Sequence, residues 1–228
     1  MSISKTISQR LKLNNHRYWA SDNISDFISE DERKLLIDEA AEKFEDVLQS
    51  LVIDTDNDPN SKGTGRRLAK MYINEIMGGR YHKCPDVTAF PNDSDDCYTG
   101  MLVVRSEIAS MCSHHHQPVK GVAYIGIIAG KKLIGLSKYT RIAQWCARRG
   151  TLQEELCNLI SRKISEATES SNVGIYLKLS HGCCENRGIM ANDSTTQTTV
   201  LTGAFLTDKS LKKEFFDNIY IQESTRRA

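Results

Sequence analysis

Apolar positions follow a helical period in the first third of the chain and a strand period later. After Ser29, the residues Leu35, Leu36, Ala40, Phe44, Val47, Leu48 and Leu51 recur mostly every three or four positions, which lines one face of an α-helix. Ser29 followed by Glu30, Asp31 and Glu32 supplies an N-cap and negative charge at the start of that helix. The acidic stretch 54–60 interrupts it. That stretch lacks the glycine and the twelfth-position glutamate of a calcium loop, so it reads as a solvated turn. A second helix is predicted over residues 65–77, with Leu68, Met71, Tyr72, Ile73 and Ile76 apolar and Gly78-Gly79 as its stop. Residues 1–29 are polar and turn-rich, with Tyr18 and Trp19 as the strongest anchors. They predict a flexible N-terminal arm ahead of a helical region over 30–80.

A connection over residues 80–100, holding Pro85, Pro91, Asp93, Asp95 and Asp96, separates this part from the rest. Strands are then predicted at 102–104, at 122–129, at 173–179 and at 195–202; the second is apolar on both faces. Two helices, over 138–149 and 152–169, fall between the second and third strands. Two strands, two helices and two strands describe an α+β domain over 81–228, with both helices on one face of an antiparallel four-stranded sheet.

Composition adds limits. With 228 residues, 39% hydrophobic and 26% charged, the chain has the content of a globular protein with a buried core. A net charge of +1 excludes general affinity for nucleic acid or membrane surfaces, so any anionic ligand must be held by local clusters. No apolar run reaches bilayer length. Seven cysteines are an odd number in a long chain, and the first residues are polar and basic without an apolar centre. Reduced thiols in the cytoplasm are expected.

Two clusters carry candidate chemistry. Met111-Cys112-Ser113-His114-His115-His116 is answered by His181-Gly182-Cys183-Cys184. Cys112 and His115 are close enough for one turn to present both to a single ion, and Cys183 would complete a Cys₂His set from a distant strand end. Such a set leaves one tetrahedral position of Zn²⁺ open. The plain alternative is that these cysteines are small buried hydrophobes. Cys184 competes with Cys183, and three consecutive histidines cannot all bind one ion. The second cluster is basic: Gly135-Leu136-Ser137-Lys138 with Arg141 sets a hydroxyl, an ammonium and a guanidinium at a helix N-terminus, a phosphate-binding arrangement. Arg187 and Arg66-Arg67 add charge if the fold brings them in; solvated arginines are the plain alternative. Thr151-Leu152-Gln153-Glu154 fits a capping box, which accounts for Glu154 without any ligand.

Taken together, Arg67-Leu68-Ala69-Lys70-Met71-Tyr72, Cys112-Ser113-His114-His115, Ile134-Gly135-Leu136-Ser137-Lys138, Gln153-Glu154 and His181-Gly182-Cys183 with Arg187-Gly188-Ile189 resemble the GTP cyclohydrolase I family, zinc enzymes that open the imidazole ring of GTP. The resemblance runs from about Arg66 to Phe205, and the first helix also fits. It implies Cys112, His115 and Cys183 as ligands of Zn²⁺, with water in the fourth position for attack on C8 of the guanine. It implies His114 as the acid/base at the ring nitrogen, assisted by His181. Glu154, with Gln153, would read the guanine edge in preference to capping the helix. Ser137, Lys138, Arg141, Arg187 and Arg67 would hold the triphosphate and ribose. Formate would leave, and rearrangement would give 7,8-dihydroneopterin triphosphate for folate, tetrahydrobiopterin or deazapurine synthesis. The family fold is the tunnelling fold, assembled as a homodecamer of two pentamers with sites at subunit boundaries. This chain departs from the family pattern at Ser113, where a glutamate is usual, at His116, where a large apolar residue is common, and at Thr64-Gly65, where Thr-Pro is usual. Loss of the carboxylate beside the metal keeps open a partial reaction that stops at a pyrimidine. A non-catalytic purine-binding subunit of the same fold is the remaining alternative.

Overall fold

The computed structural model describes residues 2–93, 95 and 97–225, so Asp96 of the connecting stretch lies outside the described residues. The chain divides into two compact units, Met1–Lys83 with Arg148–Gly150, and Cys84–Ala147 with Thr151–Ala228.

The first unit is helical: α1 (Ile3–Leu13), a 3₁₀ turn (Ser25–Phe27), α2 (Glu30–Ser50), α3 (Thr64–Lys70), a π-helical turn (Met71–Ile76) and α4 (Gly78–Tyr81). Ser29 caps α2 as its sequence predicts. Its side chain accepts from the Glu32 amide while the Glu32 carboxylate accepts from the Ser29 amide. Part of the stretch read as an arm is helix α1, whose Ile7 and Leu11 are buried against Ile24 and Ile28. The stripe Ile3, Ile7, Leu11 has helical spacing, but it is one residue wide and flanked by polar residues. Tertiary contacts supply what the pattern lacks: Arg10 grips Glu32 through two bonds of 2.5 and 2.8 Å, and Ser4 donates twice to Glu39. Gly65 is where α3 meets the α2 backbone. A Cβ there would lie 2.7 Å from the Ala41 carbonyl, so proline at this position would collide with α2.

The second unit contains β1 (Ala89–Pro91), β2 (Met101–Cys112), β3 (Pro118–Ile128), β4 (Lys132–Ile134), α5 (Leu136–Ala147), β5 (Gly150–Thr151, shared with the first unit), α6 (Gln153–Thr168), β6 (Val173–His181), α7 (Gly182–Glu185), β7 (Thr196–Leu201), α8 (Ala204–Thr207) and α9 (Lys209–Ser224). The main sheet runs β5-β2-β3-β6-β7, with four long antiparallel strands and the two-residue β5 at one edge; β1 and β4 form a separate ribbon.

Both faces of the sheet are covered, which is why β3 reads as an unbroken apolar run. Ala123, Ile125 and Ile127 point into a core with Ile142, Ala143 and Cys146 of α5 and Leu156, Ile160 and Ile164 of α6. Tyr124 points the other way, into a second cluster with Phe205, Phe215 and Ile219 beneath α9. Helix α9 follows the last strand that the sequence predicts. Asp208 caps it by accepting from the Ser210 and Leu211 amides. Strand β2 extends well beyond the predicted three residues, because its Arg105 and Glu107 interrupt the apolar signal while Ser106 and Ile108 stay buried.

Candidate active site

The site lies at one end of the β2–β3–β6 sheet. Strand β2 ends at Cys112, and the chain reverses in a tight turn in which the Cys112 amide donates to the Gln117 carbonyl (3.0 Å) and the His116 amide to the Cys112 carbonyl (2.9 Å). His116 takes the left-handed conformation that this reversal requires (φ 50°). Pro118 then pairs with Met111, and Val119 faces His181 across the β3–β6 ladder. The chain leaves β6 directly into α7, which brings Cys183 to the mouth of the turn.

The ligand atoms of Cys112, His115 and Cys183 consequently lie within 4.8 Å of one another. Around a tetrahedral ion with bonds of roughly 2.0–2.3 Å, such donors sit about 3.5–3.8 Å apart, so a contraction of about 1 Å closes the set. The donor chemistry fits a sulfur- and nitrogen-seeking cation. Burial, then the neighbouring Cys112 and Cys184 thiols, push the Cys183 thiol up to about 11, so a Cys183 thiolate calls for a positive charge beside it. Cys112 is buried, Cys183 is partly so and His115 is exposed, leaving the centre open on one side. Cys184 Sγ lies 4.0 Å from Cys183 Sγ and outside this group. The exposed His114 ring stands 6.3 Å from that of His115.

His181 ends β6 with its Nε2 2.7 Å from Gln153 Oε1. Gln153, 4% exposed at the start of α6, also donates from Nε2 to the Thr196 carbonyl (3.0 Å) and to Thr198 Oγ1 (3.1 Å). Burial pulls His181 below the usual imidazole range, partly opposed by Glu154 and Glu185, which favours a neutral ring. The capping box expected at Thr151 does not form. The N-cap is Leu152, without a side-chain cap bond, and the Thr151 hydroxyl is directed at the Leu152 carbonyl and Glu155 instead. Glu154 is exposed at the N-terminus of α6, its carboxylate not spent on the helix amides.

The basic candidates are distributed. Ser137 and Arg141 are exposed on α5, and Lys138 donates from Nζ to the Asp86 carbonyl at 2.7 Å. Arg187 is exposed just beyond α7. Arg67 belongs to the helical unit, where it donates to the Lys62 and Asn60 carbonyls and to Thr64 Oγ1. Within the second unit the fold gathers the metal group and the His181–Gln153 pair. Thr196 and Thr198, which hold Gln153, escaped sequence reading because a Thr-rich run signals only a strand.

An antiparallel sheet backed by α5 and α6, with two thiols and an imidazole collected at its end, defines a tunnelling-fold protein with a candidate metal centre. The family model for GTP cyclohydrolase I matches residues 40–220. The protein named GTP cyclohydrolase 1 of Buchnera aphidicola is 37% identical over 191 residues, spanning 83% of this chain and 85% of that one. Its namesake in Flavobacterium johnsoniae is 35% identical over 205 residues (87% and 90%), and that of Campylobacter jejuni subsp. doylei 33% over 190 (81% and 98%). The chain belongs to the GTP cyclohydrolase I family.

Proposed function

We propose that the protein is a zinc-dependent GTP cyclohydrolase I, which opens the imidazole ring of GTP at C8, releases formate and forms 7,8-dihydroneopterin triphosphate. The observation that carries this reading is the convergence of Cys112, His115 and Cys183 in a chain of this family. These three residues hold Zn²⁺, whose chemical contribution when bound is Lewis acidity at the position they leave open.

The chain's own residues do the rest. Glu154, exposed and not used as a cap, accepts from the N–H donors of the guanine edge. His114 supplies a proton to the ring nitrogen as the C–N bond opens, and the neutral His181 moves a second proton during release and rearrangement. Water adds twice, once in opening the ring and once in releasing formate, and is lost once when the pterin ring closes. Ser137, Lys138, Arg141, Arg187 and Arg67 hold the ribose and triphosphate; for Lys138 this means exchanging the Asp86 carbonyl for a phosphate oxygen. Gln153 stands beside Glu154, and its amide is held by the Thr196 carbonyl and His181. Residues 81–228 form the catalytic part. The active assembly is a homodecamer of two pentamers in the cytoplasm, acting without nucleic acid or membrane; among the described residues no helix is long and apolar enough to cross a bilayer.

The test is to incubate the zinc-loaded protein with GTP and assay formate together with a pterin that fluoresces after oxidation. Both products are expected. Retained zinc with neither product overturns the reading, and formate without pterin marks a reaction that stops at a pyrimidine.

A further inference from the structure

We propose that Gln153 is a positioning residue that holds His181 in its Nε2–H tautomer, leaving Nδ1 as the only ring nitrogen able to exchange a proton with the substrate. The inference rests on the assignment of His181 to proton transfer.

Which imidazole nitrogen keeps its proton and which can exchange one follows from the partner that each ring nitrogen meets. Here the partner is an amide whose oxygen and nitrogen ends could in principle be exchanged. The far end of that amide settles the matter. It lies 3.0 Å from the Thr196 carbonyl, a group that only accepts, so the Gln153 nitrogen must face it. Thr198 Oγ1, at 3.1 Å, takes the second amide proton. Gln153 Oε1 is thereby turned toward His181, and an oxygen 2.7 Å from Nε2 requires the proton to sit on Nε2.

The clamp is rigid because each part belongs to a different packed element. Gln153 is 4% exposed on α6, His181 ends β6, and Thr196 and Thr198 sit on β7 in fixed register with Leu179 and Leu177. A flipped amide would set oxygen against the Thr196 oxygen in a buried place and leave acceptors unmatched. Three internal partners take both amide hydrogens and one lone pair of the Gln153 oxygen. A role acting through His181 and a role touching substrate therefore make opposite kinetic forecasts.

The experiment compares zinc-loaded wild type with Gln153→Met, which preserves length and removes both amide ends. Metal content, kcat and KM for GTP are measured, and magic-angle-spinning ¹⁵N spectra of histidine-labelled protein report the His181 tautomer. Loss of an orienting partner typically costs on the order of 10–100-fold. The expected result is a 10- to 100-fold fall in kcat for Gln153→Met, with KM changed less than about threefold, zinc retained and the Nε2–H signature lost. Unchanged kcat, or a loss confined to KM, overturns the proposal. So does an Nδ1–H tautomer in the wild type, a measurement that needs no variant to fold. Wild-type protein inert toward GTP would instead refute the cyclohydrolase reading, while the tautomer spectrum would still decide whether Gln153 fixes the ring.

Discussion

Substituting Gly121 with alanine probes how the sheet builds the site. Gly121 lies on β3 with φ 155°, and a Cβ there would fall 2.2 Å from the Lys178 carbonyl oxygen and 2.9 Å from the Leu179 Cα of β6. Relief to the 3.0 Å that Cβ contacts tolerate needs at least 0.8 Å of separation between the two strands. Both close contacts are backbone, so no side chain can swing away. Overpacking of this kind costs roughly 1–3 kcal/mol, and the disfavoured backbone adds about 1–2 kcal/mol. Reduced freedom of the unfolded chain returns roughly 0.4–1 kcal/mol. The net loss is about 1–5 kcal/mol, a large share of the ~5–15 kcal/mol of a typical domain. The same displacement reaches the chemistry, because His181 lies two residues beyond Leu179 on β6 and Cys183 follows it. A misplacement near 1 Å at a reacting centre can cost on the order of 10²-fold. Urea denaturation midpoints, zinc content and turnover of Gly121→Ala check this. A midpoint and zinc content equal to wild type would refute the claim that β3 and β6 touch too closely for a side chain.

Further substitutions separate the roles within the site. Cys183→Ala is expected to abolish stoichiometric zinc binding and reduce turnover at least 10³-fold, whereas Cys184→Ala keeps both within about threefold; metal analysis with turnover decides, and the reverse pattern would exchange the two thiols. Glu154→Gln removes a charged acceptor worth roughly 1.5–3 kcal/mol and is expected to raise KM for GTP about 10- to 100-fold; a KM within threefold of wild type would show that this carboxylate does not read the guanine. The Arg10–Glu32 pair makes a forecast about pH. The Arg10 guanidinium, then the Ser29 amide, hold the Glu32 carboxyl down to about 2 against an ordinary value of 4.5. Its folded pKa is depressed, so its contribution is fully present above about pH 4.5 and is lost as the pH falls toward 2. Arg10→Met should flatten the acid side of the stability curve in that window, and an unchanged slope would mean the pair contributes nothing.

Much of the fold was legible where one face of an element carries the signal. Helix α2 announced itself through Ser29, its three acidic followers and a regular apolar stripe, and β3 through its apolar run. Helix α1 was not legible, because a stripe as narrow as Ile3, Ile7 and Leu11 becomes helical through burial against Ile24 and Ile28 and through Arg10 and Ser4 reaching α2. Glu154 shows the opposite failure. The local sequence satisfies a capping rule, yet the helix begins one residue later than that rule requires, with Leu152 as its N-cap. The metal group could be suspected from residue types, but its closure depends on the turn after Cys112 and on the β3–β6 register, which no spacing along the chain encodes. Gln153 was legible only as a family motif. Its partners Thr196 and Thr198 stand more than forty residues away, joined to it by strand pairing.

The most direct measurement follows the fate of a single carbon. GTP labelled with ¹³C at C8 is incubated with the zinc-loaded protein and monitored by NMR. One equivalent of labelled formate should appear for each GTP consumed, alongside an unlabelled pterin that retains its triphosphate. Label that stays in intact purine, or that stops in a formamide on an opened pyrimidine, would contradict a complete cyclohydrolase built on Cys112, His115 and Cys183.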